Sequence, residues 1–366
     1  MKTRLPFPTG PLRGELLNLE RLEERCRAHA TELTVALSRR GASAHRAHLR
    51  ENGRILREAY GAFAEDVKVD VIPPAAEWLL DNFHLVEVEI LNIEQDLPKS
   101  YFRELPKLAA PDWKGVPRVY AMALEIVRHS DALIDANRLE RSLAAYQSVA
   151  PLSLGELWAW PSLVKTALIE NLRRIAEELI VSRDGRNQAV RYLAPLETGG
   201  DPESLPALPL ELKTSFVVEI LARMREHGPR VSGLRARLEE RLAAEARSTD
   251  DSLRAEQQGE ARAQVSAGNT ISSLRFCGSN DWSKFVERVS LVEQVLQRDP
   301  SGAYGRMDFA SRDRYRQAVE ELADPTGEAQ LQAALSAIET ARTAMDPKGE
   351  GRVGHVGYHL IGPGRR

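Results

Sequence analysis

Apolar residues recur at three- and four-residue spacing along almost the whole chain. Leu12, Leu16, Leu19, Leu22, Cys26, Ala30, Leu33 and Leu37 draw one stripe down a predicted helix of about 25 residues, with Gly41 as its stop. Leu49, Ile55, Leu56, Ala59, Tyr60 and Phe63 mark a second helix. Pro73-Pro74 opens a third, because the first helical turn tolerates a residue without an N–H. In that third helix Leu79, Leu80, Phe83, Val86 and Ile90 face a core, and Asp81, His84 and Glu87 remain for solvent or a partner.

Further helices are predicted over 118–129 and 137–148. Ser153 and Glu156 have capping-box spacing at the start of another, which Trp160-Pro161 should interrupt early before it resumes from Ser162 to Ser182. The stretch 194–209 is rich in Pro and Gly and reads as a break. Thr249-Asp250-Asp251 looks like a helix start, and 248–264 is either a solvated helix or a connector. Trp282, Phe285, Val286, Val289, Val292, Val295 and Leu296 form one clear stripe; helices then begin at Asp308 and at Asp324-Pro325. From Asp346 onward glycines and prolines exclude regular helix over most of the length, and Val353, Val356, Tyr358, Leu360 and Ile361 suggest one short strand in a tail that docks on something. Period-two alternation is otherwise nearly absent. The expectation is an all-α protein, a multi-helix array or bundle with an irregular C-terminal tail. Its organisation is predicted as a helical domain over 1–195, a linker over 196–209, a second helical domain over 210–345 and a tail over 346–366.

Composition narrows this picture. Of 366 residues 43% are hydrophobic, enough for a sizeable core, and 28% are charged with a formal net charge of −3. That balance argues against nucleic acid as a partner. The two cysteines, Cys26 and Cys277, have no metal-ligand spacing; two reduced thiols is the simpler reading. The N-terminus lacks the apolar core of a signal peptide, and no run reaches the roughly 18 apolar residues that a membrane helix needs.

Chemistry is harder to find. Sugar transfer from a nucleotide donor usually employs alternating Asp residues that bind a divalent cation, and the chain has no Asp-x-Asp. It has no phosphate-binding glycine loop and no Gly-x-Ser-x-Gly elbow. Glycoside hydrolysis needs two carboxylates across a cleft, and with 53 acidic residues the sequence selects no pair. Glu77 and Asp81 share a helix face, which fits solvation and salt bridging. His84 has no triad around it. The five tryptophans suit sugar stacking but equally a helical core.

One run is more specific. Ala76-Glu-Trp-Leu-Leu-Asp-Asn-Phe-His-Leu-Val-Glu87 resembles a segment of the bacterial cyclic β-1,2-glucan synthases. So, in the same order, do the runs 96–108, 115–125, 145–159, 168–174, 268–275, 281–282, 289–293, 307–316 and 355–361, so that the resemblance extends over roughly residues 12–366. It implies a region of a large inner-membrane enzyme that uses UDP-glucose and a divalent cation, builds a protein-linked glucan and closes it into a ring. It also implies that the transferase residues lie beyond Arg366. The expectation is therefore a non-catalytic, cytoplasmic helical scaffold, a fragment or truncated product, peripheral to the inner membrane through its parent enzyme. Its partners would be the transferase and membrane region. The alternative is a carbohydrate-binding module that holds the growing β-1,2-glucan. No catalytic, cofactor-binding or metal-ligating residue is assigned. Trp78, His84, Arg118, Tyr120, Trp158, Trp160, Arg173 and Arg174 are the candidates for contact with a partner or with glucan.

Overall fold

The computed structural model describes residues 12–36, 42–67, 72–109, 113, 115–324, 326–345 and 352–365. They are helical almost throughout, as expected. In chain order the helices are α1 (Leu19–Glu32), α2 (Ala42–Asp66), α3 (Pro74–Asp96), α4 (Lys99–Glu104), α5 (Arg118–His129), α6 (Ala136–Gln147), α7 (Leu154–Glu197) and α8 (Thr214–His227). They continue with α9 (Ser232–Ala244), α10 (Thr249–Ser279), α11 (Trp282–Val289), α12 (Leu291–Leu296), α13 (Phe309–Leu322), α14 (Gly327–Ala344) and α15 (Val356–Leu360). The one sheet among the described residues pairs β1 (Val35–Ala36) antiparallel with β2 (Lys107–Leu108).

Side-chain caps start many of these helices by occupying N–H groups that have no partner in the first turn. Asn18, Asp135, Asp281, Ser290, Asp308 and Thr326 each accept from a backbone N–H three residues on, at 2.7–3.2 Å. The capping box is present: the Glu156 N–H donates to Ser153 Oγ at 3.2 Å and the Ser153 N–H donates to Glu156 Oε2 at 2.9 Å. Ser248 and Asp251 repeat it before α10, so 248–264 is helix rather than connector.

The chain forms two compact units. The first comprises 1–52, 85–171 and 272–366, and the second 53–84 and 172–271; the division falls inside α2, α3, α7 and α10. In the first unit α1 packs on α5 and α6, α11 on α6 and α12, and α14 on α12, α13 and α15. Its C-terminal core gathers Leu296, Tyr304, Val319, Ala334, Val356 and Leu360. In the second, Leu193 and Leu196 of α7 pack with Phe216, Val217 and Ile220 of α8 and with Leu234 and Leu238 of α9.

Several local expectations change. The first helix starts at Leu19, not near Leu12, because residues before it bond elsewhere: the N–H groups of Gly14 and Leu17 donate to the Arg128 and His129 carbonyls at the end of α5. Leu37 and Gly41 lie outside the described residues. Pro161 does not interrupt α7. It removes one ladder bond, and the buried Leu157, Trp160, Leu163 and Leu168 hold the helix through it. The same helix runs past Ser182 to Glu197. Gly185 lets it approach α8, since a Cβ there would meet Ser215 Oγ and the Phe216 backbone N at 3.2 Å. The stretch 196–209 is not a free linker, because Leu196 and Leu205 are buried in the α7–α8–α9 core. The stripe from Trp282 to Leu296 is two helices, divided where Ser290 caps the second. The C-terminal apolar residues form the helix α15 rather than a strand; 346–351 lie outside the described residues.

Candidate functional site

The candidate residues fall into both units. In the second, Trp78 is half-buried and lies against Gly268 of α10, where a Cβ would approach its ring to 3.2 Å. His84 is exposed. Arg173 donates to Glu177 at 2.5 Å, one turn along the same helix, and Arg174 is buried. In the first unit Tyr120 and Trp160 are wholly buried, so neither ring offers a face to a ligand. Trp158 is half-buried and meets Phe309 edge-on, with ring centroids 6.3 Å apart. Arg118 is spent inside the core. It donates to Glu156 from Nε at 2.6 Å and from Nη2 at 2.7 Å, and also to the Pro151 carbonyl at 2.7 Å. Glu156 is the capping-box acid, so one carboxylate closes both a helix start and a buried ion pair.

Other ionic groups of the first unit are closed in the same way. Lys165 Nζ lies 2.7 Å from Glu89, and Glu170, which is fully buried, accepts from Asn52 at 2.9 Å and lies 2.7 Å from His48 Nε2. Lys107 donates to the Phe102, Arg103 and Leu105 carbonyls at 2.9–3.0 Å and lies over the Phe102 ring, and burial pushes its ammonium down to about 8. Burial likewise pushes the free thiols Cys26 and Cys277 up to about 12, which removes them as nucleophiles at neutral pH.

A larger cluster lies between α11, α12 and α13. Arg316, almost fully buried, donates to Glu293 at 2.8 Å, to Glu287 at 3.1 Å and to Asp313 at 3.1 Å, and its guanidinium lies 4.8 Å from the Phe309 ring centre. Tyr304 Oη donates to Glu293 at 2.6 Å, and burial first, then this bond, raises its pKa. Gln297 adds a donor to Glu293 at 2.7 Å, and Arg312 one to Glu287 at 2.9 Å. Beside this network is an open surface depression of about 300 Å³. Lys284, Glu287 and Arg288 line it from α11, Glu293 and Gln294 from α12, Gln297 from just after it, and Arg312 from α13.

A second array ties α15 down. Asp299 Oδ2 lies 2.8 Å from His355 Nδ1 and accepts from Ser301 at 2.6 Å and from the Tyr304 N–H at 3.1 Å, and Oδ1 accepts from the Val356 N–H at 3.0 Å. His355 Nε2 lies 2.9 Å from Tyr315 Oη. Burial works to raise the Asp299 pKa, but these hydrogen bonds outweigh it and hold the carboxyl below its ordinary range. The order Asp–His–Tyr is that of a proton relay. Its Tyr is buried, however, and Gly357 lies so close to Tyr315 Oη that a Cβ would collide with it. The geometry is therefore that of a fastening.

Neither Glu293 nor Asp299 was among the sequence candidates. The available signal was an acid at a position that the apolar stripe assigns to the core: Glu293 sits between Val292 and Val295, both buried. Among the described residues no three His, Cys, Asp or Glu side chains are grouped to hold a metal ion. No described helix is long and apolar enough to cross a membrane.

Comparison with known proteins agrees with the motif-level resemblance. No family model matches the chain. Over 329 residues, 87% of its length, the chain is 33% identical to the cyclic β-(1,2)-glucan synthase NdvB of Rhizobium meliloti (strain 1021). It spans 12% of the length of that protein.

Proposed function

We propose that this chain is a non-catalytic helical scaffold within a cyclic β-1,2-glucan synthase, the counterpart of the part of NdvB to which it is similar. The supporting observation is the closure of its ionic groups. Arg118 is matched by Glu156, Lys165 by Glu89, and Arg316 by Glu287 and Glu293, at 2.6–3.1 Å, so these charges hold the fold instead of facing a reactant. The whole enzyme would transfer glucose from UDP-glucose with a divalent cation bound elsewhere. The chain's partners would be the transferase and membrane parts of that enzyme, at the cytoplasmic face of the inner membrane.

The test is incubation of the purified chain with radiolabelled UDP-glucose and Mg²⁺. The expected result is no glucan and no label on the protein; product from the chain alone would overturn the reading. In a complete synthase that carries this region, Glu156→Ala should lower product in proportion to the loss of folded enzyme, with KM for UDP-glucose unchanged.

A further inference from the structure

One histidine ties the residues before α1 to the end of α5. The N–H groups of Gly14 and Leu17 donate to the Arg128 and His129 carbonyls at 3.2 and 3.0 Å. Carbonyls in a last helical turn have no partner inside the helix, so this segment satisfies them. In return His129 Nδ1 lies 2.7 Å from the Glu15 carbonyl oxygen. A Cβ on Gly14 would come within 2.6 Å of the His129 ring, so only glycine lets the chain lie this close. Leu12 is buried but Leu16 is exposed, so hydrogen bonds carry much of the attachment.

The second ring nitrogen decides the protonation state that fits. His129 Nε2 lies 3.3 Å from Glu125 Oε1, one turn back along α5. A carbonyl oxygen and a carboxylate oxygen both only accept, and a neutral imidazole carries a single N–H. With the proton on Nδ1, the Nε2 lone pair faces the carboxylate. With the proton on Nε2, the Nδ1 lone pair faces the Glu15 carbonyl. Only the imidazolium donates to both, and the end of a helix also favours a cation.

The charges around the ring are of both signs. From α1, Arg25 donates to the same Glu125 oxygen at 2.5 Å and opposes a second cation there. His29 of α1 also faces Glu125, but burial lowers its pKa and keeps it neutral. Burial works to raise the Glu125 pKa, yet Arg25 first, then His129 and His29, hold it below its ordinary range. Glu32 lies 3.7 Å from Arg25, and Arg21 lies 3.5 Å from the Glu15 carboxylate. Arg13, Arg128 and Asp131 complete the charged residues of the segment and of the end of α5.

We propose that His129 is a pH-sensitive catch for the segment 12–17: the imidazolium holds the segment against the end of α5, and loss of its proton releases it. This goes beyond the scaffold reading and does not depend on it. The sign follows from linkage. The folded state favours the charged ring, so the attachment is complete in acid and is lost as pH rises.

Hydrogen exchange of the full chain tests this, read peptide by peptide and corrected for the intrinsic rate at each pH. Protection of 12–17 should fall about ten-fold or more from about pH 5 to about pH 8, the scale of one charge-assisted hydrogen bond over the range in which imidazole loses its charge. Protection of 118–127, inside α5, should not follow it. In His129→Gln the fall should disappear, since nothing is left to titrate, and in Gly14→Ala the segment should exchange fast at both pH values. Protection that stays constant or rises with pH in the unaltered chain would overturn the proposal without recourse to any variant. So would a fall that persists in His129→Gln.

Discussion

The two compact units keep most of their ion pairs in different places, although the second also buries Arg174. The first places ion pairs inside its core: side chains of Arg118 and Glu156 are 8% and 0% exposed, and those of Arg316 and Glu293 are 2% and 4%. The second has an apolar core of Leu, Val, Phe and Ile around α8 and α9, and pairs such as Arg235–Glu239 and Arg223–Glu197 sit on its surface. An apolar core needs only volume and pattern to form. A buried ion pair repays its desolvation only with good geometry, and it then punishes any loss of a partner. The first unit is therefore the more exacting of the two, and its sequence should tolerate less change at a handful of polar positions.

The strongest way to break this contrast is Glu156→Ala. It strands Arg118 in the core and removes the capping box together. We expect a loss of about 3–5 kcal/mol in urea denaturation, the range for a buried charge left without its partner. The double change Arg118→Met with Glu156→Leu should recover most of it, since an apolar pair of similar volume leaves no charge behind. A single change that costs under about 1 kcal/mol would erase the distinction between the units.

Next in size is Gly357→Ala. A Cβ at this position collides with the Tyr315 hydroxyl, so α15 must shift or Tyr315 must leave His355. Overpacking of this kind costs about 1–3 kcal/mol. Limited proteolysis should then release the C-terminal segment before the rest of the chain is cut.

Acid sharpens the comparison further. The Asp299 pKa is depressed in the folded protein, so its contribution is present above the ordinary Asp value of about 3.9 and is lost as pH falls through the folded value. The stability advantage of the wild type over Asp299→Asn should be constant above about pH 5 and shrink toward pH 2, at about 1.4 kcal/mol for each unit of depression. Denaturant melts at stepped pH measure it; an advantage that grows on acidification would contradict the assignment of the depression.

How far these features were legible follows from the same contrast. Helical spacing showed the all-α class and placed α5 within a residue, because an amphipathic stripe is a local signal. The Ser153–Glu156 box was legible for the same reason. What Glu156 also does was not, because Arg118 lies 38 positions away and nothing local announces the meeting. Pro161 misled because a local breaker was weighed without the core that overrides it. The residues of the surface depression were hidden differently. Glu287 and Arg312 look like ordinary solvated charges until α11, α12 and α13 are packed, whereas Trp160 and Tyr120 looked like binding residues and are buried in the core. The aromatic signal pointed to the core.

The smallest expected effect is on the second unit. Arg235 and Glu239 pair at 2.9 Å one helical turn apart, with side chains 63% and 48% exposed. Solvent screens such a pair, and each member loses side-chain freedom in making it, so Arg235→Gln should change stability by no more than about 0.5 kcal/mol. The small effect should vanish at 1 M salt, where screening acts within about 3 Å. Glu156→Ala should keep most of its cost there, because its ion pair is out of the solvent's reach. Urea melts of both variants at low and high salt place the two units on one scale. If Arg235→Gln proved as damaging as Glu156→Ala, exposure would not be what separates them, and the units would have to be told apart by something other than where they keep their charge.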